Sequence, residues 1–244
     1  DKYGMEASIL RETDADIAYV MPSHQYPLGI VMPIRRRMEL LAWADEKEGR
    51  YLIEDDYDSE FRYKGKPIPA LKGYDASEKV IYLGTFSKSI APAIRMSYMV
   101  LPESLMKVYQ AACRFINPTV SRVDQMILQK FIEDGHYERH LNRMRALYKG
   151  RHDTFLNCLK PFAGKCRISG EHAGVHLLLT FEDGRSEEEL IRLAREEKVA
   201  VYGLSSYDTQ GTRKNQASVL LGYANMEEDQ IKEAVEILKK AWLS

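Results

Sequence analysis

The chain has 244 residues, 45% of them hydrophobic and 29% charged, which excludes disordered, collagen-like and coiled-coil architectures and leaves ample length for a buried core. Thirty-five basic residues against 36 acidic ones give a net charge of -1, which offers no electrostatic footprint for nucleic acid or an anionic membrane. No apolar run reaches the roughly 18 residues of a membrane-spanning helix, the amino terminus lacks a signal-peptide pattern, and Cys113, Cys158 and Cys166, without CxxC spacing, read as free thiols in a reducing cytoplasm.

In chain order, Ile17–Met21 reads as a buried strand and Pro22–Pro33 as a loop punctuated by proline and glycine. Arg35–Glu48 carries apolar residues at helical spacing and closes at Gly49. Tyr51–Glu54, Val80–Leu83 and Met96–Leu101 are further strand candidates. Their nearly continuous apolar runs predict a parallel or mixed sheet covered on both faces. From Ser121 to about Leu159 the pattern is mostly helical, broken at Gly135. The tail mixes strands (Val175–Phe181, Val199–Tyr202, Ser218–Ala224) with helices (Ser186–Glu197, Glu227–Trp242), and Ser186 with Glu189 forms a capping-box pattern. The expected domains are residues 1–145, including an interdomain helix, and a smaller α+β domain over 146–244.

Three signals bear on chemistry. Glu54-Asp55-Asp56-Tyr57-Asp58-Ser59-Glu60 follows a strand directly, where open α/β sheets bind ligands, although an acidic run is often just a solvated loop. Thr85-Phe86-Ser87-Lys88-Ser89-Ile90 also follows a strand. Its lysine is either an ordinary surface residue or, desolvated by Phe86 and Ile90, a nucleophile toward carbonyls. Arg95, seven residues after Lys88, forms a candidate phosphate clamp with Thr85 and Ser87. Other features carry less. His136 and His140 have zinc-like spacing but no third ligand, so a surface or interdomain place is expected. Arg35-Arg36-Arg37 reads as a solvated helix face, Met96, Met99 and Met106 as core, and Asp56 and Asp58 as residues that cap or solvate the turn.

Taken together these residues resemble the fold-type I aminotransferases. The resemblance implies an α/β large domain, of mixed and mostly parallel sheet with flanking helices, and pyridoxal 5'-phosphate as cofactor. On that match Asp55 pairs with the pyridinium nitrogen, Lys88 forms the Schiff base, and Arg95 holds the phosphate with Thr85 and Ser87. Tyr57 faces the cofactor's 3-hydroxyl, and Tyr26 stands where the enzymes carry a cofactor-bonding asparagine. The text Pro22-Ser23-His24-Gln25-Tyr26-Pro27-Leu28-Gly29, Glu54–Tyr63, Gly84–Lys88, Gly135–Leu141 and Leu220–Ala224 is more closely similar to the effector domain of MocR-type regulators of the GntR superfamily, the GabR kind.

That closer resemblance implies a carboxyl-terminal fragment, without the winged helix and without the first third of the aminotransferase-like domain. An amino acid or small amine forms an external aldimine there and shifts domain conformation. DNA is reached only through the absent winged helix, no membrane is involved, and the full-length protein is a homodimer. Two departures weigh against catalysis: Tyr26 in place of asparagine, and a late strand, Ser218-Val219-Leu220-Leu221-Gly222, with no arginine to clamp a substrate carboxylate. Arg213 or the Ser205-Ser206-Tyr207 turn, Ser206 in particular, are the substitutes for effector binding. The alternatives are a working aminotransferase and a structural domain that has lost its cofactor.

Overall fold

Alternate residues are buried along β1 (Ile17–Val20) and β2 (Tyr51–Asp56), neighbouring strands of a computed structural model that describes residues 1–63, 69–209 and 217–243. With β3 (Val80–Thr85) and β4 (Ser97–Val100) they form a sheet in the order β1-β2-β3-β4. The first three strands are parallel and β4 runs antiparallel. The register sets Asp55 opposite Leu83 and Asp56 opposite Gly84, so the carboxylates leave the sheet at the carboxyl end of β2. A short helix, α1 (Ala7–Arg11), precedes β1, and α2 (Ile34–Asp45) presses Leu40, Leu41, Trp43 and Ala44 onto Ala18, Val20, Leu52 and Val80. Each fully buried leucine in this cluster contributes on the order of 1.5–3 kcal/mol.

The sheet departs from the sequence expectation on coverage. Every residue of β4 is exposed and β1 buries only alternate positions, so these apolar runs are not covered on both faces among the described residues. Met96 is core, but Met99 is 43% exposed because β4 lies open at the sheet edge. The expected solvated Arg35-Arg36-Arg37 face also fails at its third member. Arg37 is fully buried, and its guanidinium donates to the carbonyls of Met32 (3.1 Å), Pro69 (2.8 Å) and Pro22 (2.8 Å). Two helices follow the sheet, α3 (Glu103–Cys113), which sequence periodicity left unassigned, and α4 (Arg122–Glu133). Gly135, at φ 70°, ends α4 and leads into α5 (His136–Cys158).

Contacts divide the chain into two units between Met144 and Arg145, within α5; Tyr26–Gly29 and the stretch that opens at Phe61 group with the second. That unit holds an antiparallel sheet, β5 (Cys166–Ser169), β6 (His176–Phe181), β7 (Tyr202–Gly203) and β8 (Ala217–Gly222), ordered β5-β6-β8-β7. The helix α6 (Glu187–Glu196) starts at Ser186, whose Oγ accepts from the Glu189 N–H at 3.1 Å, as the capping-box pattern predicts. The closing helix α7 (Glu228–Leu243) buries Ile231, Val235, Leu238 and Trp242 against Phe155, Leu179 and Leu190. The β5 strand went unread because it has only four residues. No helix among the described residues is long and apolar enough to cross a membrane.

Candidate functional site

The pleat of β2 sorts its acidic run into two faces. Glu54, Asp56 and Asp58 are buried, whereas Asp55 and Tyr57 are only half-buried. Asp56 does cap the turn, accepting from the Ser59 N–H (3.2 Å) and Ser59 Oγ (2.7 Å), and it also takes the Tyr82 hydroxyl at 2.8 Å. Burial, and then the Asp56 charge, raise the Tyr82 phenol. Glu54 accepts the backbone N–H groups of Leu71 (2.7 Å) and Lys72 (2.8 Å), yet burial still leaves its carboxyl above the ordinary range. Asp58 is not solvated, contrary to expectation. At 1% exposure it lies 2.8 Å from His24 Nδ1, and burial raises its carboxyl while His24 opposes the rise. His24 Nδ1 is also 3.0 Å from the Tyr57 hydroxyl. Asp55 receives the hydroxyl of Tyr19 from β1; partial burial and then that bond push the Tyr19 phenol up to about 12.

The strand next to β2 supplies the second cluster. Met96 O accepts from Thr85 Oγ1 (3.3 Å) and from the Phe86 N–H (3.0 Å), which ties the two sides of the intervening loop together. Thr85 Oγ1 in turn accepts the Ser87 N–H at 3.2 Å. The desolvated lysine expected from Phe86 and Ile90 is not found. Lys88 is exposed, because Ser89 takes the buried place in the turn that the Ile90 N–H closes onto Phe86 O. Arg95 is exposed too, sits in the left-handed region at φ 49°, and donates to Pro92 O at 3.4 Å. A non-glycine residue held there costs on the order of 1–3 kcal/mol, a strain that functional loops commonly retain. Gly84 is required by its neighbour: a Cβ there would lie 2.2 Å from Tyr98 Cζ, because Tyr98 of β4 sits directly opposite.

Tyr26 groups with the second unit. Its hydroxyl is 2.8 Å from that of Tyr207, its ring meets the edges of Tyr207 and His176 at 5.3 Å, and burial followed by the Tyr207 contact raises its phenol to about 12. His176 Nε2 donates to Pro27 O at 3.0 Å. Ser206 is exposed and donates to Gly203 O at 2.8 Å, and Arg213 lies outside the described residues. His136 and His140 stack on or edge Phe131 and bond Arg139 and Arg143. No group of three metal-ligating side chains occurs among the described residues. Sequence reasoning missed Tyr19 and His24 as members of the site. Only the tyrosine near the end of β1 and the histidine just beyond it signalled them.

The donor set suits a phosphorylated aromatic amine acceptor. A carboxylate, two hydroxyls and two cations line adjacent strand ends within one unit. Neither Lys88 nor Arg95 enters an ion pair among the described residues, so both cations remain available to an anion or carbonyl. Buried Ser89 Oγ, next to Lys88, has no hydrogen-bond partner among the described residues.

Residues 2–238 match the family described as aminotransferase class I and II. The chain is 42% identical over 243 residues to the protein named uncharacterized HTH-type transcriptional regulator YhdI of Bacillus subtilis, covering 99% of this chain and 51% of that one. It is 34% identical to the probable rhizopine catabolism regulatory protein MocR of Rhizobium meliloti, covering 93% of this chain and 46% of the other. The chain thus spans about half the length of these curated relatives. Among solved structures, a Pyrococcus horikoshii kynurenine aminotransferase in complex with PMP superposes with a TM-score of 0.88 at 28% identity, over 100% of this chain and 62% of that one.

Proposed function

The chain belongs to the aminotransferase class I and II family, and on that premise we propose that it is the effector-sensing part of a longer transcriptional regulator. The family implies pyridoxal 5'-phosphate, which when bound supplies an electron-accepting ring and a carbonyl carbon open to amines. In this reading Asp55 keeps the ring nitrogen protonated, Tyr57 bonds the 3-hydroxyl, and Thr85, Ser87 and Arg95 hold the phosphate. Lys88 Nζ is the chain's own amine at the carbonyl carbon, and Tyr26 takes the place of the enzymes' asparagine. Supporting the reading is the register of β2 and β3, which brings Asp55 and the Lys88 loop to one end of a single sheet. A regulator rather than an enzyme is favoured by the 42% identity to a protein named as a transcriptional regulator. The arginine-free sequence of β8 points the same way.

In this reading an effector amino acid or small primary amine would compete with Lys88 for that carbonyl carbon, and a Lys88 ammonium left free would alter the charge acting on Asp58. A ligand shifts a conformational equilibrium only through such differential contacts. A winged-helix domain of the longer, homodimeric protein would convert the shift into altered DNA binding. The second reading, a working aminotransferase, rests on the likeness to the Pyrococcus enzyme.

Borohydride trapping with pyridoxal phosphate, read by intact and peptide mass analysis, tests the site. A cofactor-sized adduct on Lys88 that vanishes in Lys88→Ala is expected, whereas adducts scattered over surface lysines would refute it. Keto acid formed over many turnovers, rather than at most one per site, would favour the enzyme.

A further inference from the structure

Behind Tyr57 lies a buried polar pair that the reaction chemistry of the site does not itself require. His24 is 2% exposed and Asp58 1%, and a pair this deep costs several kcal/mol to desolvate unless its geometry is good. Here it is good. His24 Nδ1 is 2.8 Å from Asp58 Oδ2 and 3.0 Å from the Tyr57 oxygen, with the two rings tilted at 34°. One nitrogen carries one proton, and with a carboxylate in front of it that proton resides on Nδ1. A protonated Nδ1 donates and cannot accept, so the Tyr57 oxygen is the acceptor, and the phenol proton points away from His24. Asp56 and Lys88 act on Asp58 with opposite sign.

We infer that His24, braced by Asp58, is a positioning residue that orients the Tyr57 hydroxyl as a hydrogen-bond donor toward the bound cofactor's 3-hydroxyl oxygen. The inference rests on the proposed placement of Tyr57 against the cofactor, but the orientation itself exists without cofactor. An N–H donated to a phenol oxygen stabilises its phenolate, so removing the donor makes the phenol harder to ionise. The same link would let the Tyr57 hydroxyl respond when Lys88 is displaced, since the Lys88 charge acts on Asp58.

The test uses the full chain with tyrosine labelled at 13Cζ, the Tyr57 resonance being the one lost in Tyr57→Phe. In the cofactor-free protein His24→Leu should raise the ionisation midpoint of Tyr57 by about one pH unit, a tenfold change. His24→Asn, which keeps an N–H near the Nδ1 position, should restore most of it. His24→Met, of similar volume and without a donor, covers the case in which His24→Leu does not fold, and Asp58→Asn, which removes a carboxylate charge beside the phenol, should lower the midpoint instead. In cofactor-loaded protein the pH midpoint of the visible absorbance should follow His24→Leu only when Tyr57 is present. An unchanged Tyr57 titration in folded His24→Leu or His24→Met would overturn the inference. Failure of wild type to trap cofactor on Lys88 would instead sink the cofactor reading and leave the cofactor-free titration to stand or fall separately.

Discussion

Replacing Arg37 by methionine removes the guanidinium and keeps most of the apolar stem, so the lost energy belongs to the head group. The three donated bonds, to Met32, Pro69 and Pro22, tie the loop before α2 and the segment after residue 68 to the helix. Bonds from a charged donor are each worth about 1.5–3 kcal/mol, a gross loss of roughly 5–9 kcal/mol. Against this stands the desolvation cost of the buried cation, several kcal/mol, which the variant no longer bears. Two further effects act in opposite senses. Pro22 O keeps a bond from the Met32 N–H at 2.9 Å, but Glu54 loses a cation that lowers its already raised carboxyl. The net expectation is a destabilisation of about 3–4 kcal/mol, a large share of the roughly 5–15 kcal/mol of a typical domain.

The molecule carries its own reporters, because its two tryptophans fall one in each unit: Trp43 in α2 and Trp242 in α7. In a Trp242→Phe background, urea unfolding followed by Trp43 fluorescence should show the midpoint falling by about 1.5–2 M for an m-value near 2 kcal/mol/M. Arg37→Lys, with one cationic donor group in place of a fork, should fall between. A midpoint shift below about 0.3 M in Arg37→Met would refute the reasoning, since it would mean that the three carbonyls are satisfied without the guanidinium.

Two further outcomes follow from the same geometry. Burial raises the folded-state pKa of Asp58, so its proton stabilises the fold below the ordinary value of 3.8, and that contribution is lost as the pH rises through the higher folded-state value. Asp58→Asn should therefore show a less negative, or more positive, slope of stability against pH than wild type between pH 4 and 7. Equal slopes in urea titrations would contradict this. Gly84→Ala places a methyl group 2.2 Å from Tyr98 Cζ and should cost about 1–2 kcal/mol as the ring swings off the strand; adding Tyr98→Ala should make the alanine at 84 nearly neutral in a double-mutant cycle by thermal melting.

Periodicity revealed most readily the elements whose burial repeats along the chain, although α4, which buries none of its residues, was legible from its helical spacing too. β1, β2, β3 and α7 were legible because one face of each meets a core, and α6 because Ser186 announces its start. α3 and β5 were not. α3 does space Leu105, Val108, Tyr109 and Ala112 as one helix face, a pattern that the sequence reading passed over and that the fold leaves unburied, and β5 has only four residues. The misreading of β4 has a different cause. Its apolar side chains suggest a strand buried on both sides, yet an edge strand with the same composition lies open. Composition reports what a strand tolerates, and neighbours decide what covers it.

The site divides along the same line. Asp55, Tyr57, Thr85, Ser87, Lys88 and Arg95 stand in two short motifs, each following a strand, and a linear reading finds them because strand ends are where such sheets hold ligands. Their electrostatic setting is not linear. Lys88 looks desolvated beside Phe86 and Ile90, but the turn gives the buried place to Ser89. The run from Glu54 to Asp58 looks solvated, but the pleat sends alternate carboxylates inward, to partners that are far away in sequence. Glu54 finds Leu71 and Lys72, Asp56 finds Tyr82, and Asp58 finds His24, which is 34 residues away. Arg37 follows the rule as well, with a charge in an exposed-looking run drawn inward by carbonyls that only the folded loop presents. Reading a motif thus identifies the groups that could touch a ligand. The groups that set their protons and orientation come from other strands and loops, which is why His24 and Tyr19 emerged only from the fold.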